Sequence, residues 1–263
     1  MLKFIGYLFL FTLLTISTQV GGVLLLLSIV ISKQWKVNFK FKKILIFIGL
    51  YFITILFFIP LIAPIFGREK IKNTNTIKPT NYMTVLLNRN YVRPALNKLL
   101  QKTQTDLKNT NIEIRYLDAN FPFITNFPLL PHLSHHDGKK LDLSLVYETQ
   151  EGILSTKQKS ISGYGVFEKP KPNEYNQINF CFKKGYYQYD YQKYMTFGEI
   201  NKTLIFSEIG TKKLITVLLK NKNLGKLFIE PHLKQRLHLK NNKIRYHGCK
   251  SVRHDDHIHI QLK

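Results

Sequence analysis

The sequence predicts an α+β domain, built on a small antiparallel sheet with flanking helices and preceded by two transmembrane helices. Two long apolar segments lie within the first 66 residues, which contain no Asp or Glu. Beyond them, segments with apolar residues at helical spacing alternate with segments in which apolar and polar residues alternate, as in strands. We therefore expect a two-helix membrane anchor over residues 1–66, a linker over residues 67–88 and one mixed domain over residues 89–263.

The two apolar segments, residues 4–32 and 44–66, each exceed the roughly 20 residues that a helix needs to cross a bilayer. The first is too long for a signal peptide and precedes a second span. Five lysines between them, in residues 33–43, favour a cytoplasmic loop with both chain termini outside. We expect an inner (cytoplasmic) membrane protein whose domain lies on the periplasmic or outer side.

Local patterns predict the elements of the remaining domain. Helices are predicted where apolar residues recur at helical spacing or a proline stands in the first turn: residues 94–108, 199–220 and 230–237. Strands are predicted where apolar and polar residues alternate or a short apolar run occurs: residues 112–116, 141–147, 225–229 and 257–262. The aromatic- and lysine-rich residues 148–197 predict no regular element.

The formal net charge is +23. A basic surface can attract nucleic acid, anionic lipid or an anionic polymer such as cell-wall glycan. The lysines and arginines are scattered, without the run that is typical of a nucleic-acid-binding arm, so we expect no nucleic-acid partner. The two cysteines, Cys181 and Cys249, have no CxxC partner, and form either one disulfide or two free thiols.

Six of the nine histidines fall into two short clusters, residues 132–142 and 253–262. In the second cluster, His257 and His259 stand two positions apart on a predicted strand. Residues at this spacing project from the same face of a strand. Two imidazoles side by side suit a metal ligand with a neighbouring base.

We expect a hydrolytic zinc site with three protein ligands and one open coordination position. The ligands predicted from the two clusters are His135, Asp142 and His259. Gly138 lies between the first two and would let the chain turn from a loop into the strand that carries Asp142.

Two further histidines complete the predicted chemistry. His257, beside the ligand His259, is the predicted general base. His254, in the preceding turn, would donate a hydrogen bond to the negatively charged oxygen of the reaction. Asp256 is a rival base, but on a flat strand it would face away from His259, so His257 is preferred.

The chain resembles the penicillin-insensitive murein endopeptidases in two motifs. These motifs are Ser134-His135 with Gly138 and Asp142, and His254-Asp255-Asp256-His257-Ile258-His259. The strand–proline–helix segment at residues 225–234 is also similar. That family belongs to a wider group with lysostaphin-type peptidases, D-alanyl-D-alanine peptidases and hedgehog signalling domains. The resemblance covers residues 110–148 and 200–262.

The resemblance implies a zinc-dependent endopeptidase that cleaves the peptide cross-links of peptidoglycan. It implies the same ligands and the same base, His257, as the residue pattern does. His132 matches a histidine that serves an additional metal in the family, but the Asp-x-x-His partner of that second site is not found after Asp142. We therefore expect a single zinc ion. The two-helix anchor departs from the family's soluble members.

Two other functions remain open. A D-alanyl-D-alanine-type carboxypeptidase or dipeptidase would use the same metal on wall peptides, and a binding module would keep the metal without catalysis. Arg253 could bind a substrate carboxylate, although the sequence favours an exposed, solubilising arginine. The remaining histidines with a predicted structural role are His232, His238 and His247.

Overall fold

The computed structural model describes the backbone of residues 1–263 and the side chains of residues 1 and 3–263. It is a mixed α+β structure, which confirms the broad fold class. The helices are α1 (Leu2–Thr18), α2 (Gly21–Gln34), α3 (Lys42–Ile53), α4 (Ile59–Ile62), α5 (Met83–Leu86), α6 (Pro94–Asp106), α7 (Gln177–Lys183), α8 (Glu208–Leu219) and α9 (Pro231–Arg236). The strands are β1 (Glu69–Lys70), β2 (Ile77–Pro79), β3 (Tyr91–Val92), β4 (Ile114–Tyr116), β5 (Lys140–Ser144), β6 (Tyr147–Glu148), β7 (Leu154–Ser155), β8 (Ile205–Phe206), β9 (Leu224–Phe228), β10 (Ile244–Arg245) and β11 (His257–Leu262).

The first apolar segment forms a hairpin of two helices, so the prediction of a single spanning helix was wrong. The chain reverses after α1 at Gln19, which has a left-handed φ of 70°. The hydroxyl oxygen of Thr18 accepts a hydrogen bond of 2.8 Å from the backbone N–H of Gly21 at the start of α2. The two helices lie in close contact, because a Cβ atom on Gly22 would stand 2.1 Å from Oγ1 of Thr15.

The second apolar segment is one continuous helical stretch, Lys42–Phe66, which we call the long helix. It starts as α3, passes through a π turn into α4 and ends in a 3₁₀ turn. Among the described residues it is the one helix of sufficient length and apolar character to cross a membrane, by composition alone. The helices α1 and α2 are apolar but shorter.

A six-stranded sheet with the order β10-β9-β11-β5-β4-β2 forms the centre of the domain. The four central strands are antiparallel, as predicted. The edge strands β10 and β2 pair in parallel with their neighbours, so the sheet as a whole is mixed. β1 and β2 lie within residues 67–88, so this segment belongs to the folded domain and is not the predicted linker.

Helices α6 and α8 pack against each other and contribute buried leucines to the main core, among them Leu99 and Leu218. Pro94 starts α6, as predicted. By contrast, α8 starts at Glu208, not at residue 199. The side chain of Ser207 caps it by accepting a hydrogen bond from the N–H of Gly210, which fixes the later start.

Residues 148–197, for which no element was predicted, contain α7 and a 3₁₀ helix at Tyr187–Met195. A disulfide between Cys181 and Cys249 joins this insertion to the loop before the last strand. Of the two alternatives that the sequence left open, one disulfide or two free thiols, the structure therefore has the disulfide.

Candidate metal centre

The central strands β5 and β11 bring the two histidine clusters together. Their register places His259 opposite Asp142 and His257 opposite Ser144. The predicted final strand is therefore present, and its alternation directs two imidazoles towards the carboxylate on β5. Asp142 and His257 are completely buried.

Three donor atoms from these segments converge on one point. Nε2 of His135 lies 3.2 Å from Oδ1 of Asp142 and 3.1 Å from Nδ1 of His259. The third edge, from Nδ1 of His259 to Oδ1 of Asp142, measures 2.8 Å. Ligand atoms at 2.0–2.2 Å from a tetrahedral ion stand about 3.3 Å apart, so this triangle has nearly the size that a bound metal requires.

The backbone fixes the orientation of His135. Its Nδ1–H donates to the carbonyl oxygen of Ala119 at 2.6 Å, which leaves the lone pair of Nε2 directed at the other two donors. Such a hydrogen bond is usual for a histidine that binds a metal. Gly138 makes the predicted turn with φ of 78°, and its N–H donates to Oδ1 of Asn120 at 3.0 Å.

The second carboxylate oxygen of Asp142 faces His132. Its Oδ2 lies 3.2 Å from Nδ1 of His132, and donor atoms of His132, His135 and Asp142 all lie within 4.8 Å of one another. This buried group could hold a metal ion. His259 lies on the Oδ1 side of the carboxylate, with its Nδ1 2.8 Å from Oδ1 of Asp142 and 3.1 Å from Nε2 of His135, whereas His132 lies on the Oδ2 side.

Tyr164 completes the surroundings of Asp142 and was not predicted. Its hydroxyl donates to Oδ2 of Asp142 at 2.9 Å and accepts from the backbone N–H of Asp118 at 3.1 Å. The ring lies 4.7 Å from that of His132 and 5.2 Å from that of His257, between centroids. The one signal in the sequence was a tyrosine between two glycines, Gly163 and Gly165, which both adopt positive φ.

His257 is held by its neighbour in the chain. Its Nδ1 lies 2.5 Å from Oδ1 of Asp256, while its Nε2 lies 3.7 Å from Oδ1 of Asp142. The other oxygen of Asp256 accepts a hydrogen bond of 2.6 Å from the N–H of Gly165. Asp256 therefore orients His257, and each of its two carboxylate oxygens already accepts a hydrogen bond.

Two more imidazoles lie beside these residues. The His254 ring is 4.9 Å from that of His257 and stacks on His247 at 5.0 Å. His247 stacks in turn on Phe228 at 3.7 Å. His254 thus lies near the site, as predicted. His247 lies beside His254, although the sequence predicted only a structural role for it. It is an isolated histidine in a loop and belongs to no motif.

Burial keeps most of these imidazoles neutral. It lowers the pKa of His259 to about 3 and that of His132 to about 4, and holds the pKa of His254 well below its usual value. Neutral imidazoles keep the lone pair that a cation needs. These side chains are therefore competent ligands near pH 7.

The negative charge of Asp142 and the positive charge of His257 stabilise each other. Burial alone would raise the pKa of Asp142, but the imidazoles of His135, His257 and His132 outweigh it and hold the pKa well below its usual value. Burial alone would lower the pKa of His257, but the carboxylates of Asp142 and Asp256 outweigh it and raise that pKa to about 9.

The donor set fits a divalent metal ion. The donor triangle uses Nδ1 of His259. Beside it, Nε2 of His257 and Nε2 of His259 are buried and have no hydrogen-bond partner among the described residues. An unsatisfied buried polar atom costs about 1–3 kcal/mol, which is tolerated mainly where the atom has a function. Imidazole nitrogens and carboxylate oxygens are among the ligands that divalent metal ions take in proteins, so this group could hold such an ion.

A cavity of about 360 Å³ adjoins the centre at His132. Its walls are mainly apolar and include Leu117 and Phe197. On its polar side, Arg89 and Asp118 form an ion pair at 3.0 Å. The cavity offers room for part of a ligand next to the donor atoms.

Arg253 is buried, so the prediction of an exposed arginine was wrong. Its guanidinium donates to Oδ1 of Asp255 at 2.7 Å and to Oδ1 of Asp190 at 2.9 Å. The guanidinium also lies 3.8 Å from the ring centroid of Phe167. Because two carboxylates already occupy it, Arg253 ties the insertion to the last motif and is not free to bind a substrate.

Comparison with known proteins does not assign a family. No family model matches the chain, and no curated protein matches it at a significant level. The resemblance to murein endopeptidases stays a prediction from two motifs. The fold and the site define an α+β protein with a buried His/Asp group that could hold a metal ion.

Proposed function

We propose that this chain is a membrane-anchored, zinc-dependent endopeptidase that hydrolyses the peptide cross-links of peptidoglycan. The observation that carries the proposal is the triangle of His135 Nε2, Asp142 Oδ1 and His259 Nδ1, with no edge longer than 3.2 Å. Two imidazoles and a carboxylate match the ligand sets of catalytic zinc sites, which keep one position open.

The roles of the side chains follow from their contacts. A zinc ion at this site would act as a Lewis acid that polarises the substrate carbonyl and makes water a stronger nucleophile. A zinc ion held by Asp142 would offset the carboxylate charge that raises the pKa of His257 in the metal-free protein. His257 would then accept a proton at Nε2, because its Nδ1 is bonded to Asp256, and deliver that proton to the leaving amine. The carboxylate of Asp256 stabilises the imidazolium formed in between. His254 is the proposed donor to the developing oxyanion.

The state of Arg253 favours an endopeptidase over a carboxypeptidase. An enzyme that removes a terminal residue needs a cation for the free carboxylate of its substrate, and arginine is well suited to that contact. Arg253 is instead saturated by Asp255 and Asp190. Arg89 in the adjoining cavity is likewise paired with Asp118.

Charge and cysteine chemistry support a substrate outside the cytoplasm. Residues 67–263 contain 33 Lys and Arg against 16 Asp and Glu, a net charge of +17, which attracts an anionic polymer such as the cell wall. The disulfide between Cys181 and Cys249 is typical of an oxidising compartment. The apolar long helix, Lys42–Phe66, provides an anchor next to the domain.

The test uses the full-length chain in detergent micelles. We expect about one zinc per chain and loss of cross-linked dimers from purified sacculi, with activity removed by a chelator and restored by zinc. The variant His257→Gln should keep zinc and lose activity. The control His238→Asn changes an exposed histidine whose positive φ asparagine tolerates. It should behave as the wild type.

The other outcomes separate the alternatives. Release of free D-alanine without loss of dimers would assign a carboxypeptidase. A wild-type chain that binds zinc and cleaves no wall peptide would be a binding module. A chain that binds no zinc would refute the proposal at its first step.

A further inference from the structure

The three N-terminal helices form a bundle whose two ends differ. At one end, Nζ of Lys43 donates to the hydroxyl of Tyr7 at 3.3 Å, so the start of the long helix lies level with the start of α1. Lys42 closes the loop between α2 and α3 through hydrogen bonds of 2.9 and 3.1 Å to the carbonyls of Trp35 and Val37. We call this the lysine end. The N-terminus and the α2–α3 loop both lie there.

The opposite end of the bundle contacts the folded domain. Oε1 of Gln19, in the turn between α1 and α2, accepts a hydrogen bond of 3.0 Å from the N–H of Phe123. The carbonyl of Thr18 accepts one of 3.3 Å from the side-chain amide of Asn88. We call this the domain end. At this end an apolar cluster joins the hairpin turn and the long helix to the domain. Its buried members are Ile55, Ile59, Ala63 and Tyr91, and its partly buried members are Val20, Tyr51, Leu86 and Phe123.

The outer faces of all three helices are apolar and exposed. Phe4 on α1 is 73% exposed, Leu26 on α2 is 52% exposed and Leu56 on the long helix is 56% exposed. No Asp or Glu occurs before Glu69. A continuous exposed apolar surface of this kind needs an apolar partner. The surrounding medium that fits it on all three helices is lipid.

The lysines of the bundle identify which end lies in the cytoplasm. All six lysines of residues 1–66 lie at or next to the lysine end: Lys3, Lys33, Lys36, Lys40, Lys42 and Lys43. Two crossings would put Lys3 on the membrane face opposite to the other five. Three crossings put all six on one face, next to anionic headgroups, against the four basic residues that follow the long helix, Arg68, Lys70, Lys72 and Lys78, so the positive-inside rule favours this orientation by six to four.

The short legs of the hairpin are compatible with a crossing. At 1.5 Å per residue, the 17 residues of α1 span about 25 Å and the 14 residues of α2 about 21 Å. α1 reaches the lower limit of the usual length of a membrane span, whereas α2 is about 9 Å shorter than a hydrocarbon core of about 30 Å. Local thinning and lysines that extend to the headgroups would make up this difference. The turn itself is satisfied, since Gln19 and Thr18 bond to the domain instead of to lipid.

We propose that the chain crosses the bilayer three times, with the N-terminus and the α2–α3 loop in the cytoplasm and the domain outside. The disulfide of the domain agrees with an outer location. Arg68, directly after the long helix, donates to the carbonyls of Phe121 and His136, the latter at 2.9 Å. The loop that carries His135 is therefore fastened to the outer end of the membrane helix, which places the metal centre at the membrane surface.

Single-cysteine labelling of the full chain in intact bacterial cells tests this topology. Both native cysteines are in a disulfide, so the variants Lys3→Cys, Val37→Cys and Asn75→Cys each introduce one reactive thiol at an exposed position. With a membrane-impermeant maleimide we expect Asn75→Cys to be labelled and the other two to be protected at least tenfold. All three should be labelled after the membrane is permeabilised.

Every other pattern overturns the proposal. Labelling of Lys3→Cys together with Asn75→Cys would mean two crossings. Equal labelling of all three variants would mean that the bundle does not cross the membrane, and protection of Asn75→Cys alone would mean the reverse orientation. The assay does not depend on hydrolysis, so a failed topology and a failed peptidase activity are distinguishable.

Discussion

Nδ1 of His257 lies 2.5 Å from Oδ1 of Asp256, the residue that precedes it in the chain. The pair stands where β11 begins, so a single turn of backbone positions both groups. The carboxylate fixes the tautomer of the imidazole and leaves Nε2 facing Asp142. This is the arrangement in which a histidine acts as a base and a carboxylate stabilises the resulting cation.

The variant Asp256→Asn should show that Asp256 orients the imidazole of His257 and takes no part in metal binding. The amide keeps the shape of the side chain but removes the negative charge and favours the wrong tautomer of His257. We expect turnover on cross-linked wall peptides to fall by about 10²- to 10⁴-fold, while the zinc content stays unchanged. The control Asp106→Asn changes an exposed carboxylate and should retain full activity. Full activity in Asp256→Asn would exclude the proposed role.

The raised pKa of His257 makes the metal-free protein sensitive to alkaline pH. The folded pKa of about 9 lies above the usual value of 6.5, so the stabilisation is fully present below pH 6.5 and is lost as the pH rises through 9. Its size is on the order of 3 kcal/mol. The melting temperature of the metal-free chain should therefore fall between pH 7 and pH 9.5. Imidazole NMR gives the pKa directly, and a value at or below 6.5 would contradict the electrostatic argument.

Ligand variants should distinguish His259 from His132. Removal of His135 or His259 takes away a corner of the donor triangle, so we expect His135→Ala and His259→Ala to lose zinc. His132→Ala should retain zinc with an affinity lowered by about 10- to 100-fold, because His132 contacts the far oxygen of Asp142. Metal analysis after dialysis against a graded chelator series measures the difference. A reversed order, with zinc lost only in His132→Ala, would make His132 the third ligand.

Tyr164→Phe should weaken metal binding without unfolding the domain. The change removes the hydrogen bond to Oδ2 of Asp142, so the carboxylate is less well oriented, and we expect about 10- to 100-fold lower zinc affinity. Tyr91→Phe is a matched control, because the hydroxyl of Tyr91 is buried without a partner. Zinc titrations of both variants make the comparison. Equal affinities would show that Tyr164 has no influence on the metal.

The sequence predicts those parts of the site that depend on residues close together in the chain. The spacing of His257 and His259 sets one face of a strand, and Gly138 supplies the turn before Asp142, so local rules were sufficient. Tyr164 could not be found in this way, because it reaches Asp142 from an insertion without periodicity. Arg253 was placed wrongly for a similar reason: its partner Asp190 is 63 residues away in the chain.

The N-terminal apolar segments show the same division between local and non-local effects. Apolar composition predicted helices correctly, since burial in lipid or protein makes the same demand on the side chains. Composition does not show whether an apolar segment forms one long helix or two shorter helices joined by a turn. The reversal at Gln19 depends on contacts with Phe123 and on the close approach of α1 and α2, which is a tertiary effect. The neighbouring pair Gly21-Gly22 was the local signal.

Gly22→Val should open the α1–α2 hairpin. A Cβ atom at this position would lie 2.1 Å from Oγ1 of Thr15 and 2.8 Å from the carbonyl oxygen of Phe11, so the two helices must separate. We expect Lys3→Cys in this background to become accessible from outside in a measurable fraction of molecules. Gly49→Val is the matched control, because nothing lies within 4 Å of a Cβ atom on Gly49. Unchanged protection of Lys3→Cys in the Gly22→Val background would show that close helix packing does not hold the hairpin together.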